Sequence, residues 1–191
     1  MSNVHTEAPF ATLTAETAPE DSRPLIEGAQ SAFGYVPSPV GKMAASPELL
    51  AGFMQANRLF QKATLAELER EVVVMTIATH VGCHYCVAMH TALLTKQQAP
   101  EDTVCSLRGA EPLDDPRLEA IRRFTLAVID GGGAVSREDL GAFLDAGYTE
   151  RNALEVVLGI GTYTLSTFAN RLTEAPLDEP FEPFRWEAAS N

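Results

Sequence analysis

The sequence predicts an all-α fold, on three observations. Helix-starting residues recur just ahead of apolar stretches, those stretches are long or rich in helix formers, and no two segments make a credible strand pair. The β-branched run Val72-Val73-Val74-Met75-Thr76-Ile77-Ala78-Thr79 is the sharpest test. Alone it suggests a strand. It belongs, however, to a stretch from Leu65 to Val81 that is too long for an ordinary strand and contains the strongly helix-forming Ala66-Glu67-Leu68-Glu69-Arg70-Glu71. It reads as a helix apolar on nearly all sides, hence the centre of the core.

Residues 1–20 are polar, with little apolar periodicity, and read as a flexible N-terminal arm. A single helical domain is expected over 21–175. A short helix from Arg23 to Phe33 is stopped by Gly34. Tyr35-Val36-Pro37-Ser38-Pro39 reads as a loop, because each proline biases the residue before it away from helix. Ser46-Pro47-Glu48 starts a helix to Lys62, with serine as cap and proline in the first turn. Thr64-Leu65-Ala66-Glu67 has capping-box spacing and opens the central helix, which Gly82 ends. A helix over Cys83–Gln98 follows at once, and Pro100 to Leu107 is a shorter one.

Asp115-Pro116 starts a further helix, ended by Gly131-Gly132-Gly133. Ser136 caps one from Arg137 to about Ala146, and Thr149 caps a last long one to about Glu174. In that last helix Leu154, Val157, Leu158, Gly161, Leu165, Phe168 and Leu172 recur at spacings of three and four. The seam packs either inside the subunit or against a neighbour. Residues 176–191, with Pro180, Pro183 and Trp186, read as an extended tail.

With 191 residues, 46% of them hydrophobic, the chain can build one ordinary core. A net charge of −12 with no basic cluster argues against nucleic acid as a partner. No apolar run approaches the ~20 residues of a membrane span, and the N-terminus lacks a basic-then-apolar signal. The expected location is cytoplasmic. Three cysteines are too few, and odd in number, for a secreted disulfide scaffold.

Chemistry concentrates in Cys83-His84-Tyr85-Cys86-Val87-Ala88-Met89-His90. At about 100° per residue, Cys83, Cys86 and His90 share an arc of roughly 60° on one helical face. The free N–H groups of a helix start favour thiolate at both sulfurs. Glu71 lies on the most apolar helix of the chain; if buried there, its carboxylate needs a partner, and His90 is the candidate across the Gly82 corner. His80 and His84 read as ordinary surface or packing residues, Tyr85 as packing or pocket wall, and Cys105 as a buried small apolar residue. The histidine spacing excludes covalent haem attachment, and no phosphate loop or dinucleotide fingerprint occurs.

Glu71, Cys83, Cys86 and His90 form the pattern Glu-x11-Cys-x2-Cys-x3-His on two consecutive helices. This pattern resembles the core motif of the alkylhydroperoxidase D and carboxymuconolactone decarboxylase superfamily over some 30 residues. The resemblance implies an all-helical subunit assembled as a trimer or hexamer, without a cofactor, that reduces organic hydroperoxides and is recharged by a thiol or protein reductant. It further implies that Cys86 is the peroxidatic cysteine, that Cys83 resolves it as a disulfide, and that Glu71 and His90 relay protons. The dedicated alkylhydroperoxidases place a histidine between the cysteines where this chain has Tyr85. The decarboxylase branch typically lacks the cysteine pair. Two alternatives stay open: a zinc site on Cys83, Cys86, His90 and Glu71, and a binding module whose thiols sense oxidation with little turnover.

Overall fold

A computed structural model describes residues 10–188, and every regular element among them is helical. In chain order these are α1 (Arg23–Phe33), α2 (Ser38–Met43), α3 (Pro47–Phe60), α4 (Glu67–Val81), α5 (His84–Lys96), α6 (Glu101–Gly109), α7 (Pro116–Asp130), α8 (Arg137–Asp145) and α9 (Glu150–Leu172). Short 3-10 turns cover Glu20–Ser22 and Glu179–Phe184.

The β-branched run is helical because it is central. Glu71 to Ala78 are all buried, and α4 is walled by α5, α6, α7 and α9. A helix covered on every side needs no polar stripe. Its start differs from the expected capping box. Ala66 is the cap, and the Glu69 side chain accepts its N–H at 2.7 Å, whereas Thr64 gives its hydroxyl to Glu155 on α9. The end is a left-handed glycine corner: Gly82 has φ 73°, and the Cys83 N–H reaches back to the Ala78 carbonyl at 2.8 Å. Only Gly82 stands between α4 and the Cys83 cap of α5, so the corner delivers the cysteines directly after the central helix.

Three parts of the sequence reading are corrected. The proline-rich loop contains α2: Pro39 sits in the first turn of that helix, where its missing N–H costs nothing. Residues 10–20 of the expected arm lie on the domain, with Ala18 buried and the Leu13 N–H donating to Gly41 at 3.0 Å. The expectation for residues 1–9 lies outside the described residues. The C-terminal tail is partly wound and fastened. Asp178 accepts from Ser38 and, at 2.6 Å, from the Tyr85 hydroxyl, while Trp186 Nε1 donates to the Arg108 carbonyl at 2.9 Å.

The long helix α9 has two unlike faces. Val156, Gly159, Tyr163, Ser166 and Asn170 are buried against the rest of the chain. At Gly159 a Cβ would stand 2.8 Å from the Phe60 ring and 3.1 Å from Val73, so α9 approaches α3 and α4 at glycine distance. The seam read from sequence is on the other face: Leu154 is 71% exposed, Phe168 59% and Leu172 70%. Apart from the half-buried Leu158, it does not pack inside the subunit. Two apolar clusters result, a main one around α4 and a smaller one joining α1, α2, the start of α3 and Ala169 of α9.

Candidate active site

The two cysteines sit where α5 begins. Cys83 is its N-cap and Cys86 its third residue, so both sulfurs lie in a first turn that offers free N–H groups. The thiols interact directly. That contact draws the Cys83 thiol down to about 7 and pushes the Cys86 thiol up, and burial pushes Cys86 further in the same direction. The pair therefore behaves as one titrating unit whose first proton leaves near neutrality. Access separates the two. Cys83 is fully buried, whereas Cys86 lines a cavity of about 530 Å³ between the two apolar clusters.

Two residues from α9 hold the Cys86 sulfur. Asn170 donates its Nδ2 to Sγ at 3.3 Å, and the Ser166 hydroxyl lies 3.9 Å away. Both hydrogen bonds favour the charged sulfur and oppose the effect of burial. The sequence reading assigned neither residue a role. The available signal was faint: two polar residues four apart among several on the long helix, some 80 positions from the cysteines.

Glu71 and His90 meet. Glu71 Oε2 and His90 Nδ1 are 2.7 Å apart, and both side chains are 3% exposed. A carboxylate in this position keeps a proton on Nδ1 and leaves Nε2 as the working nitrogen. Nε2 is buried and has no partner among the described residues. His90 makes no hydrogen bond to Cys86, although it lies one turn further along α5. The Tyr163 ring stands edge-on to the imidazole at 5.4 Å and also lines the cavity.

The remaining candidates fall away from this centre. His80 is exposed and 3.6 Å from Asp130; His84 is half-buried. Tyr85, the residue between the cysteines, forms cavity wall and binds Asp178. Cys105 is exposed, not buried as expected. Leu107 is the buried residue of α6, and a position two residues away points roughly 200° round the helix. Among the described residues no group of three or more His, Cys, Asp and Glu side chains is arranged to hold a metal. Glu71 and His90 turn toward each other. No helix among the described residues is long and apolar enough to cross a membrane.

Comparison with known proteins agrees with the fold. The model of the carboxymuconolactone decarboxylase family matches residues 47–127, from the start of α3 into α7 and across all four residues of the sequence motif. No curated protein matches the chain. Among solved structures, the alkylhydroperoxidase AhpD core of a peroxidase-related protein from Ralstonia eutropha JMP134 aligns with TM-score 0.80 at 21% identity, covering 93% of this chain and 96% of that one. A peroxidase-related protein from Silicibacter sp. TM1040 gives 0.75 at 18% identity, over 95% and 97%. The debrominase Bmp8 without ligand gives 0.75 at 16% identity, over 94% and 97%. At these identities the likeness is one of fold.

Proposed function

We propose that this chain, whose residues 47–127 match the carboxymuconolactone decarboxylase family and whose fold is that of an alkylhydroperoxidase AhpD core, is a thiol-dependent peroxidase acting on organic hydroperoxides. One observation carries the reading: Cys86 opens onto an apolar cavity and has a second thiol, Cys83, in contact behind it.

The thiolate of Cys86 attacks the outer oxygen of the hydroperoxide. The O–O bond breaks, the alkoxide leaves and takes up a proton to become the alcohol, and Cys86 becomes a sulfenic acid. Cys83 then attacks the Cys86 sulfur. The S–S bond forms, and the hydroxyl leaves with a proton as water. Two thiols and one hydroperoxide thus give one disulfide, one alcohol and one water. A dithiol or a thiol protein returns the two electrons and completes the cycle.

His90 and Glu71 serve the proton steps. His90 Nε2 takes the thiol proton and later supplies one to the departing oxygen, with Glu71 holding the imidazole in place. Since no direct hydrogen bond joins His90 to Cys86, the transfer runs through one intervening water or a peroxide oxygen. Asn170 and Ser166 steady the developing charge on sulfur. Such reactive thiols suit a reducing compartment, and the cytoplasm is the proposed location. The exposed seam of α9 is proposed as the contact between copies of this chain in a homo-oligomer.

The reading is tested by steady-state reduction of cumene hydroperoxide with dithiothreitol as the returning thiol. Sustained turnover that Cys86→Ser abolishes supports it. Oxidation of the thiols without turnover points instead to a sensing module.

A further inference from the structure

The wall of the cavity holds a charge that the peroxide chemistry does not use. Among the described residues Arg58, an exposed residue of α3, is the one formally charged side chain lining the space that reaches Cys86. No acidic residue among those described lines it, in a chain with 26 acidic and 14 basic residues. Among the described residues Arg58 has no ion pair and no hydrogen bond to protein, whereas Arg117, Arg122, Arg151 and Arg185 each pair with a carboxylate. Beside it stands Asn57, whose Oδ1 accepts the Tyr163 hydroxyl at 3.2 Å and whose amide nitrogen donates to no group among the described residues. The rest of the wall is mostly apolar, with Leu25, Phe33, Phe53, Met54 and Met89 among its residues.

Resting on the peroxidase reading, we propose that the cavity selects hydroperoxides of organic acids: an apolar body with the peroxide at Cys86 and a carboxylate at Arg58. A cavity of about 530 Å³ is large enough for such a molecule. A planar guanidinium with free donors matches a carboxylate in charge and geometry. The surrounding apolar wall supplies affinity without orientation, so the single cation fixes which end of an amphiphilic chain turns away from the sulfur. A neutral hydroperoxide such as cumene hydroperoxide would enter without using this anchor.

Binding can be tested apart from turnover. Calorimetric titration of the reduced protein with octanoate and with octan-1-ol should show octanoate bound more tightly, by about fivefold for one partly exposed ion pair. The preference should vanish in Arg58→Gln and return in part in Arg58→Lys. In turnover, linoleic acid hydroperoxide should be favoured over its methyl ester by a similar factor in kcat/KM, and Arg58→Gln should equalise them. Equal binding of octanoate and octanol by the wild type, or a preference that survives Arg58→Gln, would overturn the proposal. Octanoate preference with no reduction of cumene hydroperoxide would leave the carboxylate anchor standing and remove the peroxidase reading. Peroxide turnover without acid preference would do the reverse.

Discussion

Glu71 shows most plainly how a residue can be legible in part. Its type and position on an apolar helix say that it is either at a wet end or in need of a partner, and burial to 3% exposure, with His90 at 2.7 Å, decides for the partner. The cysteines are similar: their spacing reveals the pair, but only the cavity distinguishes Cys86, which lines it, from Cys83, which does not. Asn170 and Ser166 left only a faint signal, since their contact with Cys86 depends on α9 crossing the start of α5. A pH dependence follows from the thiol contact. Thiolate is the reactive form, and the pair releases its first proton at about 7. The rate of peroxide-driven thiol loss should therefore rise as pH is raised through about 7 and then level, as stopped-flow measurement across pH 5 to 9 would show. Glu71→Gln, which leaves His90 without its carboxylate, should lower the plateau rate by about tenfold to a hundredfold. An unchanged plateau would remove Glu71 from the relay.

At the scale of elements, α1 and α3 through α9 were readable because capping residues, glycine stops and helix formers agree with one another. The central helix shows length and leading residues prevailing over β-branched composition. What escaped was set by tertiary contacts. The two prolines of Pro37-Ser38-Pro39 read as a loop but start α2, whose Gly41 lies so close to Leu13 that a Cβ would meet the Leu13 carbonyl at 2.9 Å. The tail carried no periodic pattern, yet Asp178 finds Tyr85 and Ser38, and Phe181 stands edge-on to Tyr85. The approach of α9 to α3 and α4 gives the prediction at this scale. Gly159→Val should destabilise the chain by about 1–3 kcal/mol through overpacking against Phe60 and Val73. Calorimetry should show this as a fall in Tm of roughly 2–4 °C per kcal/mol. An unchanged Tm would mean that α9 can move away from α3 at no cost.

For the whole molecule, the all-α class and the single helical domain follow from pattern alone, but the path of the chain around the cavity does not. The cavity exists because two apolar clusters, one built on α4 and one on the N-terminal helices, meet only in part. No local signal encodes such a gap. The α9 seam was legible as a stripe but not as a surface, since periodicity is the same for a buried and an exposed stripe. Exposed Leu154, Leu165, Phe168 and Leu172 should hold copies together. Light scattering should give a multiple of 20.6 kDa for the wild type and a smaller mass for Leu165→Asp with Phe168→Asp. A wild-type monomer would contradict the assembly. The division of labour between the two sulfurs is tested most directly by mass-spectrometric mapping of dimedone adducts after one equivalent of cumene hydroperoxide, on Cys83→Ser and Cys86→Ser. The account predicts a sulfenic acid trapped on Cys86 in Cys83→Ser and none formed rapidly in Cys86→Ser; an adduct on Cys83 with Cys86 untouched would contradict it.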